Sequence, residues 1–472
     1  MVASTRKQPY FGLTGKWLTY WITFACSTDM LLFGYDQASF SGVIVTDNFL
    51  EVHDLVGPEK TQMLSTVTAI YDIGCFLGAI VAFTIGERLG RTKSIIVGTA
   101  IMTIGAILKC TSYSLAQMFV GRIILGVGNG INTATAPIWQ TETAPAHWRG
   151  KLVMFEMMMN IAGFSLCNWI NYGLSFAGGA VAWRFPLAFQ FVFIIALFAT
   201  VPWLPESPRW LMSHGREAEA TEVLACLEAK PQDDVYVVSQ KEEILFSINY
   251  EREHQIRWRD LLRPQPEATK PLRRLILGAG TQFIQQFEGQ GLSFLVITIL
   301  LRFGEAGGNR KAAEGSIVFF FLYYIAFGVG MLGIPWLYPT EINSIAMRTK
   351  GAAVATATNW LTNYVIVQIT PIGIQNLGWK FWIVFTVLNA AFLPVIYLFY
   401  PETANRTLED LDEYYRNNPP LVVIGDKDAI GTKRPQKYVD HEEAQVERVA
   451  HEDGVTEAAD KKTSRTEARH VE

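Results

Sequence analysis

The sequence predicts an all-α membrane protein with two helical bundles, the first of six spans and the second shortened to about four, joined by a cytoplasmic helical loop. Three observations predict this class. The chain is 50% hydrophobic and only 18% charged over 472 residues, which is too apolar for a soluble chain of this length. Its apolar residues form repeated stretches of about twenty residues, as helices that cross a bilayer require. Short segments of the first half also recur in the second.

Ten stretches are long and apolar enough to be spans. Six lie in the first half, at roughly 17–40, 63–86, 94–114, 117–138, 152–173 and 185–204. Four lie in the second half, at roughly 273–303, 316–338, 352–375 and 380–400. We therefore divide the chain into a cytoplasmic N-terminus (1–16), a first bundle (17–204), a cytoplasmic helical linker (205–271), a shortened second bundle (272–400) and a tail (401–472).

The positions of lysine and arginine predict the orientation, because cytoplasmic loops carry the excess of positive charge. Basic residues follow span two, precede span five and precede the ninth span, whereas the opposite connections at 111–116 and 174–182 carry none. Both termini are then cytoplasmic, and the plasma membrane is the expected location. From Pro401 onward the hydropathy falls, and beyond Gly425 the chain is highly charged and has almost no large apolar residues, so we expect the tail at 401–472 to be largely disordered.

The two halves share two matching segments. Pro137-Ile-Trp-Gln-Thr-Glu142 recurs as Pro335-Trp-Leu-Tyr-Pro-Thr-Glu341, and in both copies an arginine follows the glutamate by seven positions. Pro205-Glu206-Ser207 likewise recurs as Pro401-Glu402-Thr403. Such repeats are typical of transporters.

The repeat also shows that residues are missing. Glu142 to Glu206 is 64 positions and Glu341 to Glu402 is 61, but Trp17 to Glu142 is 125 whereas Pro271 to Glu341 is only 70. A shortfall of 55 residues corresponds to about two spans, since a helix rises ~1.5 Å per residue across a ~30 Å layer. We infer a parent of six plus six spans and a seam near Gly289-Gln290-Gly291, where the halves of two parallel spans are joined.

Several classes of function are excluded. No nucleophile beside a base, no metal cluster and no cofactor loop is recognisable, so an enzyme is not expected. The five cysteines are scattered without a disulfide or metal-ligand pattern. No cofactor and no nucleic-acid partner are predicted, and the net charge of -4 says little about partners because the charges are unevenly placed.

The chain resembles the fungal-type sugar porters of the major facilitator superfamily over residues 17–411, apart from the gap. The resemblance is carried by Gly86-Glu-Arg-Leu-Gly-Arg91, by Gly121-Arg122 with Gly126, Gly128 and Gly130, by Pro205-Glu-Ser-Pro-Arg-Trp210, and by Pro401-Glu-Thr403. It implies a major facilitator fold that transports hexoses, pentoses, disaccharides or polyols by alternating access, with proton symport in some members. From the residues alone, the three glycines are expected to allow close helix packing.

Asp36 and Arg122 lie at similar depth in spans one and four, where an ionisable side chain is costly unless paired or wetted. The resemblance implies that they are the proton-coupling pair of the symporting members. The alternative is that span one ends earlier and Asp36 is a solvated rim residue. Ala38 departs from the family, which usually has glycine there.

Gln282, Gln285 and Gln286 fall on one face of a helix, and amides suit sugar hydroxyls because they both donate and accept hydrogen bonds. The resemblance assigns Gln285 and Gln286 to sugar binding and adds Trp336, Asn359 and Asn363. Met157 replaces the sugar-binding glutamine of the family in span five, where Asn160 and Asn168 are candidate substitutes. Gly291 replaces a family asparagine, so that contact is lost at the seam. The alternative is that the three glutamines only hold helices together.

Charged residues at the cytoplasmic helix ends form the last group. The resemblance implies a gating network between the bundles, in which single exposed ion pairs of ~0–1 kcal/mol act collectively. Its members here are Glu87, Arg88, Arg91, Glu142, Arg149, Glu206, Arg209, Glu341, Arg348 and Glu402.

Three functions remain open. The chain is a working carrier of a sugar or polyol, a nutrient receptor that does not translocate, or a non-transporting product of exon loss or a gene-model error. Its partners are then a small sugar or polyol, the lipid bilayer and, in a symporter, protons.

Overall fold

The computed structural model describes residues 9–145, 148–253, 258, 270–287, 291–305, 308–330, 333–344, 347–404, 406 and 408–438. The long regular elements in these ranges are all helices. The predicted seam at 289–290 and the tail from residue 439 onward lie outside the described residues.

The first bundle contains the six predicted spans as helices. Its helices are α1 (Lys16–Val43), α2 (Asp47–Val52), α3 (Thr61–Leu89), α4 (Arg91–Cys110), α5 (Leu115–Thr143), α6 (Arg149–Ser175), α7 (Val181–Phe189) and α8 (Phe191–Thr200). The short α2 lies in the connection between the first two spans, and the sixth span consists of α7 and α8. Five segments of the described chain are long and apolar enough to cross a membrane, at 58–86, 91–110, 150–175, 181–203 and 350–399.

Three glycines explain how closely α3, α4 and α5 pack. A Cβ added to Gly126 or Gly130 would lie 2.3 or 2.1 Å from a backbone carbonyl oxygen of α3, and one on Gly128 would lie 2.4 Å from a carbonyl oxygen of α4. These distances are too short for any side chain, so α5 carries glycine on both contact faces. The predicted role of the three glycines in close helix packing is confirmed.

The linker folds against the first bundle through α9 (Pro208–Ser213), α10 (Glu217–Glu228) and α11 (Val235–Glu253). Apolar residues of all three helices join the same buried cluster as residues of α1. The backbone N–H of Gly15 donates to the carbonyl of Cys226 over 2.7 Å, so the start of the first span is attached to the linker.

The second bundle has fewer helices, and their packing shows which ones remain. It consists of α12 (Pro271–Phe287), α13 (Gly291–Glu305), α14 (Arg310–Gly330), α15 (Ile334–Ile342), α16 (Arg348–Leu377) and α17 (Phe381–Phe399). α12 packs on α16 as α1 packs on α6, whereas α13 packs on α14 and α17 as α4 packs on α5 and α8. The α12–α13 segment therefore combines the place of a first span with that of a third span, as the fused-span prediction requires.

The second bundle also reaches α6. Across the bundle interface α3 packs on α16. Gly328 of α14 lies beside Ile161 of α6, and Gly333 lies beside Met154. Other large apolar side chains of α6 are exposed, including Met158, Trp169, Tyr172 and Phe176.

The tail prediction is wrong for residues 408–438, which are folded. Helices α18 (Leu408–Arg416) and α19 (Lys427–Ile430) cover the end of the second bundle at which α12 begins. The completely buried guanidinium of Arg274 in α12 bonds to the carboxylate of Asp412, while Tyr415 and Val423 pack against Leu277 and Ile342. Few apolar residues are enough here because they cover a surface that the bundle already provides.

The connection between α1 and α3 contains a buried histidine, His53. Its ring lies 4.4 Å from that of Phe49 and 5.5 Å from that of Trp183, and its Nε2 is 2.9 Å from the hydroxyl of Ser112. Burial lowers the pKa of His53 below its usual value, the charge of Arg184 adds to this, and the hydrogen bond to the Phe49 carbonyl opposes it.

Acid is therefore expected to destabilise the connection between α1 and α3. Because the pKa of His53 is lower in the folded than in the unfolded chain, its contribution is fully present above the unfolded pKa of about 6.5 and is lost as the pH falls below it. The melting temperature of the purified chain should fall from about pH 7 to about pH 5, and less steeply in His53→Gln. Equal slopes in both proteins would contradict this.

Candidate functional site

The first charged centre of the fold is an ion pair between Asp36 and Lys109. Asp36 lies inside α1 and is only 2% exposed, so it is not a solvated rim residue. The ammonium of Lys109, near the C-terminal end of α4, is 2.6 Å from the Asp36 carboxylate and is completely buried. The other carboxylate oxygen of Asp36 has no hydrogen-bond partner in the described part of the chain.

Arg122 lies near this pair and bonds elsewhere. Its guanidinium donates to the backbone carbonyl of Thr68 in α3 and lies 3.9 Å from the centre of the Phe40 ring. Asp36 and Asp72 are the acidic groups whose charges act on it, although Asp36 has its ion pair with Lys109. The sequence predicts that Asp36 and Arg122 lie near each other. It does not predict that Lys109 is the residue that pairs with Asp36.

The glutamines of α12 face the second half of the interface. Gln282 donates to the carbonyl of Pro335 over 2.7 Å, which joins α12 to α15. Gln286 donates to the side-chain oxygen of Asn359 in α16, and Gln285 is buried beside them. The structure therefore brings Gln286 and Asn359 together, as expected of two residues that line one site.

The remaining predicted residues are more dispersed. Trp336 lies half-buried in α15. Asn363 donates to the carboxylate of Asp72 over 3.0 Å and so joins α16 to α3. Asn160 donates to the carbonyl of Met30 over 3.4 Å, and Asn168 is 3.5 Å from the hydroxyl of Ser41.

Trp360 was missed although it lies next to Asn359 in sequence. It is 1% exposed and belongs to the buried cluster of the first bundle, even though α16 belongs to the second. Its ring centre lies 5.6 Å from that of Phe33 and 6.5 Å from that of Tyr71. Its indole N–H has no hydrogen-bond partner among the described residues, so it is a donor available to a bound hydroxyl.

At the end of the first bundle that faces the linker, charged residues connect α4, α5 and the linker. Arg91 forms a two-point ion pair with Glu142, with N–O distances of 3.0 and 3.1 Å. Glu206 accepts hydrogen bonds from the backbone N–H groups of Arg91 and Thr92, at 2.8 and 3.2 Å. Its carboxylate therefore caps the N-terminus of α4, where unpaired N–H groups favour negative charge.

Gly90, just before α4, makes this cap possible. Its φ of +91° lies in the left-handed region, and an added Cβ would be 2.5 Å from an oxygen of Glu206. The Gly86-to-Arg91 motif therefore requires glycine at position 90, because a side chain there would clash with the capping carboxylate.

The second half repeats only part of this arrangement. Glu402 accepts from the N–H of Thr403 over 2.9 Å, as Glu206 does from that of Ser207, and Thr403 donates to Glu341 over 2.7 Å. Arg88 is exposed at the end of α3, and the positive charge of Arg209 acts on the carboxylate of Glu142. The side chains of Glu87, Arg149 and Arg348 lie outside the described residues. The contacts above lie within each half, and the gating role stays a prediction.

Removing the cap of α4 is expected to destabilise the first bundle. Glu206→Gln loses the charge and one acceptor oxygen, which should cost ~1–2 kcal/mol and lower the melting temperature of the purified chain. Glu402→Gln is the matched control, since Glu402 bonds mainly within its own turn. A loss as large in the control would contradict the assignment.

The comparison with family models decides the family. The model described as sugar (and other) transporter matches residues 21–304 and again 289–415. The chain belongs to this sugar transporter family, and its fold is that of the major facilitator superfamily.

Curated members of the family agree with this over most of their length. The MFS-type transporter oryC of Aspergillus oryzae is 62% identical, with 95% of each chain covered. The sugar transporter STL1 of Saccharomyces cerevisiae is 33% identical, covering 85% of this chain and 82% of its own. Among solved structures, the inward-open xylose transporter XylE of E. coli superposes with a TM-score of 0.67 at 23% identity, over 84% of this chain and 99% of that one.

The same comparisons support an internal gap. The alignment with oryC extends over 510 positions, whereas 95% of this 472-residue chain is about 448 residues, so about 60 positions have no counterpart here. The family model matches in two pieces that overlap at residues 289–304. Both findings agree with the predicted loss of about two spans near the start of α13.

Proposed function

We propose that the chain carries a sugar or a polyol across the membrane by alternating access of its two bundles. The observation that carries this proposal is the meeting of Gln286 and Asn359 close to Trp360, whose indole donor is unused among the described residues. Amides and an aromatic ring suit the hydroxyls and the apolar face of a small polyhydroxylated molecule. Relatives named as a sugar transporter and as glucose and hexose transporters support this class of substrate.

Proton coupling through Asp36 and Arg122 belongs to the same proposal. One solved relative of similar fold is titled a proton:xylose symporter. Here the carboxylate of Asp36 contacts the ammonium of Lys109 at 2.6 Å, so the proposed coupling step requires that this contact opens. We place the carrier in the plasma membrane with both termini cytoplasmic, on the distribution of lysine and arginine.

Uptake of labelled sugars tests the proposal. The full chain is produced in a cell that lacks its own sugar carriers, and uptake of labelled glucose, xylose and glycerol is measured. We expect uptake of at least one probe above background, and a several-fold loss in Gln286→Ala. Gln240→Ala is the matched control, because its amide lies in the linker and bonds to Tyr236. No uptake of any hexose, pentose or polyol at normal surface expression would defeat the proposal.

A second reading is a product without transport activity, and the gap of about 60 positions against oryC favours it. Sequencing the messenger RNA across the codons for Phe287 to Ser293 separates the two. Recovery of about 55 or more additional codons would show that the native carrier has a complete second bundle, with helices of ~20 residues restored.

A further inference from the structure

Glu156 is a buried carboxylate that the transport site described above does not use. It lies seven residues from the cytoplasmic start of α6, ~10 Å along the helix axis, and is 0% exposed. Neither of its carboxylate oxygens has a hydrogen-bond partner in the described part of the chain. One turn further along α6, Asn160 bonds to the backbone of Met30, so Glu156 faces the α1 residues just before Met30.

A second carboxylate, Asp29, lies opposite on α1. It is 3% exposed, and one oxygen accepts a hydrogen bond from Asn132 of α5 over 2.8 Å. The other oxygen has no partner among the described residues. Among the described residues, the charge of Asp29 acts on Glu156, and both carboxylates act on the thiol of Cys26 beside them.

The two carboxylates contrast with Asp36 two turns further along α1. Asp36 has Lys109 at 2.6 Å, whereas no lysine, arginine or histidine of the described residues lies within 4.0 Å of Asp29 or Glu156. Two neighbouring carboxylates without a cation cannot both be ionised in a dry interior, because each ion loses its hydration and repels the other. One bound proton neutralises one of the two carboxylates and removes their repulsion without moving either side chain.

We propose that Asp29 and Glu156 form a proton-binding site of this carrier, separate from Asp36 and Arg122. A carboxylate of the pair takes a proton from water on one side of the membrane and becomes a neutral acid. It returns the proton to water when the bundles open toward the cytoplasm, since Glu156 lies nearer that side. The proton accompanies a substrate, so this step rests on the proposed function.

Infrared spectroscopy tests the site without any substrate. The purified full chain at neutral pH should show the C=O stretching band of a protonated carboxylic acid, shifted in heavy water. Glu156→Gln or Asp29→Asn should remove or displace that band. Glu51→Gln, which changes an exposed carboxylate of α2, should leave the band unchanged. A band that is absent, or that is unchanged in both site variants, would overturn the proposal. Either variant alone suffices if the other does not fold.

Transport in proteoliposomes tests the role in the cycle. Labelled glucose, xylose and glycerol are measured in counterflow without a pH gradient and in uptake driven by an inward proton gradient. Glu156→Gln mimics the protonated acid, so we expect it to retain counterflow while gradient stimulation falls to the level without a gradient. Unchanged stimulation would refute the coupling role, and so would loss of counterflow with folding intact. Absence of counterflow in the unaltered chain would refute the proposed function, while the infrared result would still decide the proton site.

Discussion

Replacing Lys109 with methionine is expected to destabilise the chain strongly and to abolish transport. Asp36 would then be an unpaired buried charge, and breaking a buried ion pair from one side typically costs ~3–5 kcal/mol. The completely buried position of Lys109 and its 2.6 Å contact leave little room for water to compensate. The measurement is the melting temperature of the purified chain together with uptake of labelled sugar.

The double variant Lys109→Met with Asp36→Asn is the control for this prediction. It removes both charges, so most of the lost stability should return, and the energies of the two single variants should not add. Transport should stay low, because the acidic group is gone. Additive losses would mean that Lys109 stabilises α4 by packing and not by its charge.

The positions of the spans could be predicted because the bilayer sets the length and polarity of each helix. The stretch predicted at 352–375 is α16 at Arg348–Leu377, and that at 380–400 is α17 at Phe381–Phe399. The shortened bundle could be predicted from the internal repeat, since the two halves of this fold have equivalent lengths. Helix ends differ by a few residues because polar helix ends extend past the hydrocarbon layer.

The candidate site could be predicted only in part. Asp29, Lys109 and Glu156 all lie in predicted spans, where an ionisable side chain is itself a functional signal, and that signal could have found them. Which of them pair could not be predicted, because the contact between Lys109 and Asp36 depends on how α4 packs beside α1. Trp360 is one of many aromatic residues in the predicted spans, and only the fold shows that it enters the opposite bundle.

The tail shows a different limit of sequence reasoning. Its low hydropathy correctly indicates that residues 408–438 cannot form a core of their own. Tyr415 and Val423 are nevertheless buried, because α12 and α15 provide an apolar surface that they complete. Arg274 supplies the matching charge for Asp412. The composition of a segment describes only its own residues. It does not reveal the apolar surface that a neighbouring bundle provides.

Trp360 is the residue at which a loss of stability and a loss of transport can be separated. Trp360→Ala should leave a cavity between Phe33 and Tyr71 and cost ~3–5 kcal/mol, seen as a large fall in the melting temperature. Trp360→Phe keeps an aromatic ring in the same place but removes the indole N–H. It should stay folded while the KM for labelled sugar rises about 2- to 10-fold, the range for one hydrogen bond of ~0.5–1.5 kcal/mol.

The matched control is Trp169→Ala on α6, where the ring is 73% exposed and little packing is lost. If Trp169→Ala costs as much stability as Trp360→Ala, the interface between the bundles does not depend on Trp360. If Trp360→Phe leaves the KM unchanged, its N–H does not contact the substrate. A rise in KM with normal stability would instead place the sugar between Trp360 and the amides of Gln286 and Asn359, because these are the polar groups that meet where α16 crosses into the first bundle.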